Sequence, residues 1–286
     1  MPAVASLMTR AENGGATPAI AAQDKRHTRT MSENVPVLEA RGVTKSFGGF
    51  VAVQNLNLEV NRGGVHALIG PNGAGKTTVF NLLTRFIQPT AGQIILMGED
   101  ITTLAPEFVA RRGLVRSFQI SATFEKLTVS QNIRIALQRP HVDAWRFLGT
   151  GADRGKTEAR IAELLTSFDL TAYANWRAGD LPYGRKRALE LAATMATDPQ
   201  VMLLDEPTQG LGFEDVERVA DLIKAIGATR TVLMVEHNMS LVSRIAGRIT
   251  VLRSGAIIAD GDYATVSRDP QVVEAYLGSG RRRARH

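Results

Sequence analysis

Three short, nearly unbroken apolar runs punctuate the chain: Val65-His66-Ala67-Leu68-Ile69, Val201-Met202-Leu203-Leu204 and Thr231-Val232-Leu233-Met234-Val235. Their length and continuity predict buried strands. Val79, Leu82, Leu83 and Phe86 recur at helical spacing after the first run, and Leu189, Leu191, Ala192 and Met195 mark a helix before the second. Strands alternating with helices imply a parallel sheet, whose ligands gather at the strand C-termini. Val37-Leu38-Glu39-Ala40, Leu56-Asn57-Leu58-Glu59-Val60 and Gln93-Ile94-Ile95-Leu96-Met97-Gly98 read as further strands, and Ile249-Thr250-Val251-Leu252 with Ile257-Ile258 as a closing hairpin. Between about 101 and 185 the pattern turns helical, with stripes at Val129, Ile133 and Leu137 and at Ile161, Leu164, Leu165 and Phe168. The stretch from His141 to Lys156 reads as a loop whose Trp145 and Phe147 belong to local core. A short helix from Val272 to Leu277 ends the order.

These patterns divide the chain into a tail at 1–35, an α/β domain at 36–279 and a basic tail at 280–286. The tail is rich in Ala, Gly, Thr and Ser without periodicity and is expected to be disordered. It has no apolar segment of the kind a secretory signal needs, and Met31 marks a plausible natural start. No apolar run approaches the roughly 20 residues of a membrane span, so any membrane role is peripheral. The absence of cysteine removes disulfide and thiol chemistry. A net charge of +6 with Arg281, Arg282, Arg283 and Arg285 at the end admits an anionic partner or a solvated tail.

The chemistry begins at Gly70-Pro71-Asn72-Gly73-Ala74-Gly75-Lys76-Thr77-Thr78, a full match to G-x-x-x-x-G-K-[ST], the Walker A loop. An accidental match arises in about one chain in a hundred of this length, and the flanking strand and helix make it rarer. The glycines let backbone N–H groups turn around a triphosphate at a helix N-terminus. Lys76 then reaches the β- and γ-phosphates, and the Thr77 hydroxyl faces Mg²⁺. The run ending in Asp205-Glu206 matches Walker B: Asp205 holds the metal through water, and Glu206 polarises the attacking water. Kinases and GTPases share this much.

Leu181-Pro182-Tyr183-Gly184-Arg185-Lys186-Arg187, shortly before Asp205, resembles the ABC signature LSGGQ with its basic residues. With both Walker motifs, Gln119 in Ser117-Phe118-Gln119 and His237 after the next strand, the order is that of the ABC ATPases, from roughly Val37 to Gly278. The resemblance implies a P-loop ABC ATPase fold with a parallel sheet core, an antiparallel β-subdomain and a helical insertion. It implies that Phe47 stacks on adenine, that Gln119 senses Mg²⁺ and the attacking water, and that His237 contacts the γ-phosphate. Tyr183, Gly184 and Arg185 would cover the nucleotide of a partner subunit.

Ser46-Phe47-Gly48-Gly49, the Tyr-Gly signature, Val235-Glu236-His237-Asn238-Met239 and the ending Asp269-Pro270 to Gly278 look like the ATPases of branched-chain amino-acid importers. That resemblance implies a peripheral subunit on the cytoplasmic face of the inner membrane. It would pair with a second ATPase beneath two permease subunits, with a periplasmic binding protein delivering an amino acid or amide and no nucleic acid involved. Three departures matter. Pro182 replaces a Ser that offers a hydroxyl, Arg185 places a third cation at a helix N-terminus where the dipole disfavours it, and Gly212 stands where many members have Asp. Together they suggest a complete Walker side and a weakened signature side. The three cations favour an anion nearby. Competing assignments are a lipopolysaccharide-export ATPase, a soluble ABC protein acting on ribosomes or DNA, and a regulatory module without turnover, against which Glu206 and His237 argue.

Overall fold

The computed structural model describes residues 36–117, 123–138 and 151–281. The expectations for the tail at 1–35, for Phe118, Gln119, Trp145 and Phe147, and for the arginines beyond 281 lie outside those residues.

Two sheets form the frame. β1 (Pro36–Phe47), β2 (Phe50–Asn61), β4 (Ala91–Leu96) and β5 (Glu99–Asp100) make an antiparallel sheet in the order β2-β1-β4-β5. β3 (Val65–Ile69), β6 (Leu114–Ser117), β7 (Val201–Asp205), β8 (Thr231–Val235), β9 (Arg248–Arg253) and β10 (Ala256–Gly261) make the other, in the order β10-β9-β3-β8-β7-β6. Its five strands from β9 to β6 are parallel, and β10 returns antiparallel as the expected hairpin.

The continuous apolar runs follow from burial on both faces of the parallel sheet. Met202, Leu204, Val232, Met234, Ile249 and Val251 point into one core. Their neighbours Val201, Leu203, Leu233, Val235 and Leu252 point into the other. The first core is shared with α3 (Val129–Gln138), α4 (Gly151–Ser167), α5 (Tyr183–Ala196), α6 (Phe213–Gly227) and α7 (Met239–Ile245). The second lies between the two sheets and holds α1 (Lys76–Leu83) and Val109 of α2 (Pro106–Arg111). α8 (Tyr263–Arg268) and α9 (Pro270–Arg281) follow the hairpin.

Three expectations need correction. The segment read as helical from about 101 contains β6, an edge strand of the parallel sheet. The segment read as loop to Lys156 is already helical from Gly151. Phe86 is not on the first helix, which stops at Leu83. Thr84 Oγ1 donates back to the Phe80 carbonyl at 2.7 Å, Arg85 turns left-handed at φ 62°, and Phe86 emerges 51% exposed.

His66 shows how polar residues enter this core. Its Nε2 lies 2.8 Å from Thr250 Oγ1, the Thr250 hydroxyl donates to Asp260, and Arg248 Nε donates to the same carboxylate at 2.6 Å. Burial holds the imidazole down to about 4 against the pull of Asp260, with Arg248 adding to the depression. A group whose folded value lies below its unfolded value of 6.5 contributes stability above that value and loses it as pH falls. Urea unfolding between pH 6.5 and 4 should therefore show stability declining by up to ~1.4 kcal/mol per pH unit from this group. His66→Leu should flatten that slope by one proton; an unchanged slope would contradict the assignment.

Candidate functional site

Ile69, Ser117, Asp205 and Val235 are the last residues of neighbouring parallel strands. Gly70–Thr78, Glu206 and His237 therefore begin at one edge of the sheet, the edge where open α/β sheets take ligands.

The glycine loop is enforced by close approach. A Cβ on Gly70 would lie 2.2 Å from the Leu252 carbonyl oxygen, and one on Gly75 would lie 2.8 Å from that of Ala52. The loop is thus wedged between β9 and β2, and Gly75 caps α1 at φ 102°. Lys76 folds back on this loop. Its Nζ donates to the Gly70 carbonyl at 2.7 Å and the Pro71 carbonyl at 3.1 Å, leaving the residue 9% exposed. Burial depresses its pKa, while Glu206 and then Asp205 act in the opposite sense, so both acids lie within electrostatic reach of the ammonium. Asn72, Gly73 and Thr77 are exposed, Pro71 and Thr78 half-buried, and Ala74 buried.

Asp205 is buried, and Glu206 takes a left-handed backbone at φ 47° while its N–H bonds the Val235 carbonyl at 2.9 Å. The turn separates two adjacent carboxylates that a regular strand would merely alternate. His237 is exposed. Phe47 is 48% exposed at the β1–β2 turn with Lys45 Nζ 4.9 Å from its ring centre.

Comparison with known proteins fits this geometry. Residues 53–209 match the family described as ABC transporter, and 256–281 match one described as branched-chain amino acid ATP-binding cassette transporter. The high-affinity branched-chain amino acid transport ATP-binding protein BraF of Pseudomonas aeruginosa is 42% identical over 251 residues, covering 85% of this chain and 98% of BraF. The chain belongs to the ABC transporter family. Among solved structures, the ADP conformation of MJ1267, an ATP-binding cassette of an ABC transporter, is 27% identical with a TM-score of 0.74, covering 85% of this chain and 99% of that one. The dimeric structure of MJ0796, a bacterial ABC transporter cassette, is 25% identical with a TM-score of 0.65, covering 79% and 98%. The cassette is an ATPase, and among its described residues no helix is long and apolar enough to cross a membrane.

The signature side of the cassette differs from expectation. Tyr183 and Gly184 open α5 after Pro182, which supplies no side-chain cap. Arg185 does not stay at the helix N-terminus. It donates to the carboxylate and carbonyl of Asp169 at 2.5 Å, with its guanidinium 5.2 Å from the Tyr173 ring centre. Arg187 is buried against Glu190 at 2.7 Å and the carbonyls of Pro207 and Glu206 at 2.8 and 3.1 Å. Two of the three clustered cations, Arg185 and Arg187, thus meet the chain's own carboxylates. A third acid, Asp215, lies so close to Gly184 that a Cβ there would be 2.2 Å from its carboxyl.

Two residues went unassigned in the sequence. Tyr276 of α9 is half-buried with its hydroxyl near the Gly70 backbone; burial raises its pKa and the nearby Gly70 opposes that rise. Glu236 is 0% exposed. One oxygen accepts from Thr208 N and Oγ1 at 3.1 and 2.5 Å, the other from His237 N and Asn238 N at 3.0 and 3.3 Å. This carboxylate joins the turn after Glu206 to the turn carrying His237. Its only sequence signal is an acid directly following an apolar strand. Glu236→Ala leaves these donors unpaired and should cost about 3 kcal/mol or more in urea unfolding; a loss below about 1 kcal/mol would show that the carboxylate does not join the turns.

Proposed function

We propose that the cassette drives import of branched-chain or related amino acids or amides. It works from the cytoplasmic face of the inner membrane, paired with a second cassette beneath two permease subunits that a periplasmic binding protein loads. The observation that carries this is the alignment with BraF along 98% of that protein, together with the separate match at 256–281. The dimeric MJ0796 cassette supports pairing.

Within the site, Lys76 leaves its two carbonyls for the β- and γ-phosphates, and the backbone N–H groups from Asn72 to Thr78 cradle the rest. Phe47 stacks on the adenine, its exposed ring already beside a cation. Glu206 accepts a hydrogen bond from the attacking water, and Gln119 aligns that water. His237 and the partner subunit's signature, entered through Tyr183 and Gly184, close over the γ-phosphate. Arg185 starts from its contact with the exposed Asp169 and would leave it to join this face.

Thr77 and Asp205 offer the oxygen donors that suit Mg²⁺, a hard cation that takes its other ligands from phosphates and water. When bound, the ion neutralises charge on the phosphates. Closure depends on the charge of the terminal phosphate, so hydrolysis releases the partner subunit and the helical segments move with it.

Lys76→Ala should abolish binding of a fluorescent ATP analogue. Glu206→Gln should bind it as the native protein does while phosphate release falls at least about a hundredfold. Near-native turnover in Glu206→Gln would remove Glu206 from its role. Copurification from membranes without a permease of the amino-acid type would overturn the transport reading while leaving the ATPase intact.

A further inference from the structure

Arg116 of β6 is a half-buried arginine that no motif singled out. Its Nη2 donates to Asp205 Oδ2 at 2.5 Å, and its Nη1 donates to Asn81 Oδ1 at 2.6 Å. The guanidinium carbon lies 5.7 Å from the Phe80 ring centre. The side chains of Arg116 and Asp205 are 11% and 5% exposed, so water screens the pair weakly. Asn81 and Phe80 belong to α1 and Asp205 ends β7, so one cation spans the helix of the glycine loop and the acidic strand end.

This changes the electrostatics of the site. Lys76 and Arg116 set two cations against the carboxylates of Asp205 and Glu206, with Arg116 directly on Asp205. A divalent cation entering alone meets both cations and an Asp205 with one oxygen already taken. A triphosphate brings several negative charges and reverses the balance.

We propose that Arg116 is a positioning residue that occupies Asp205 Oδ2 and offsets its charge, so that a divalent cation enters the site only together with the nucleotide. Removing a positive charge beside the carboxylate that would hold a doubly charged ion should change that ion's affinity about tenfold or more. The inference rests on the assignment of Asp205 to the metal, which is tested separately below.

Mn²⁺ binding to the full chain, read by electron paramagnetic resonance with and without a non-hydrolysable ATP analogue, tests it. The native protein should bind Mn²⁺ far more tightly with the analogue than without. Arg116→Met should bind Mn²⁺ without nucleotide about tenfold more tightly than native, whereas Arg116→Lys, which keeps the charge, should stay within about threefold. Should Arg116→Met fail to fold, Arg116→Gln, which keeps a polar donor without the charge, should raise nucleotide-free Mn²⁺ affinity in the same sense. No rise in the folded variant, or a native protein that binds Mn²⁺ equally well without nucleotide, would overturn the proposal. Unchanged Mn²⁺-nucleotide binding in Asp205→Asn would overturn the assignment of Asp205 itself, and the proposal with it.

Discussion

The ammonium of Lys76 lies 2.7 Å from the carbonyl oxygen of Gly70 and 3.1 Å from that of Pro71, folded into the loop on which it sits. A buried cation is costly without acceptors, and these carbonyls with the two nearby acids supply them. The same arrangement keeps the loop's hollow filled by a group that a triphosphate can draw away. Its geometry is available only because Gly70 and Gly75 accept a wedge of backbone from β9 and β2 that a side chain would obstruct. The shape of the loop is therefore a property of both sheets.

Around that loop, buried polar groups connect elements that hydrophobic packing alone would leave free to slide. Glu236 joins the turns after β7 and β8, and Arg187 fastens α5 to the carbonyls beyond Asp205. Tyr276 brings α9 to the first glycine of the loop. Arg187 is the more consequential of these for function, because α5 also begins with Tyr183 and Gly184. Arg187 thus ties the turn after Glu206 directly to the first turns of α5.

Much of this was readable in the residues, for identifiable reasons. Parallel strands buried on both sides are apolar at nearly every position, so β3, β7 and β8 stood out as runs, and the glycine loop between β3 and α1 carried its own spacing. β6 did not stand out. It offers Leu114 and Val115, then Arg116, whose burial is intelligible only once Asp205 and Asn81 are seen beside it. The fate of Arg185 was illegible for the same reason, since Asp169 lies in a different part of the chain and only the packing of α4 against α5 brings the two together. Glu236 looked like one more acid after a strand, and its four donors come from turns whose meeting depends on strand order.

A structure of this chain with an ATP analogue and Mg²⁺ addresses the role of the Lys76 ammonium most directly. The ammonium is expected to leave the Gly70 and Pro71 carbonyls and lie within hydrogen-bond distance of the β- and γ-phosphates, with the backbone of the loop unmoved. A nucleotide bound elsewhere, with Lys76 still on its own carbonyls, would contradict this picture of the site.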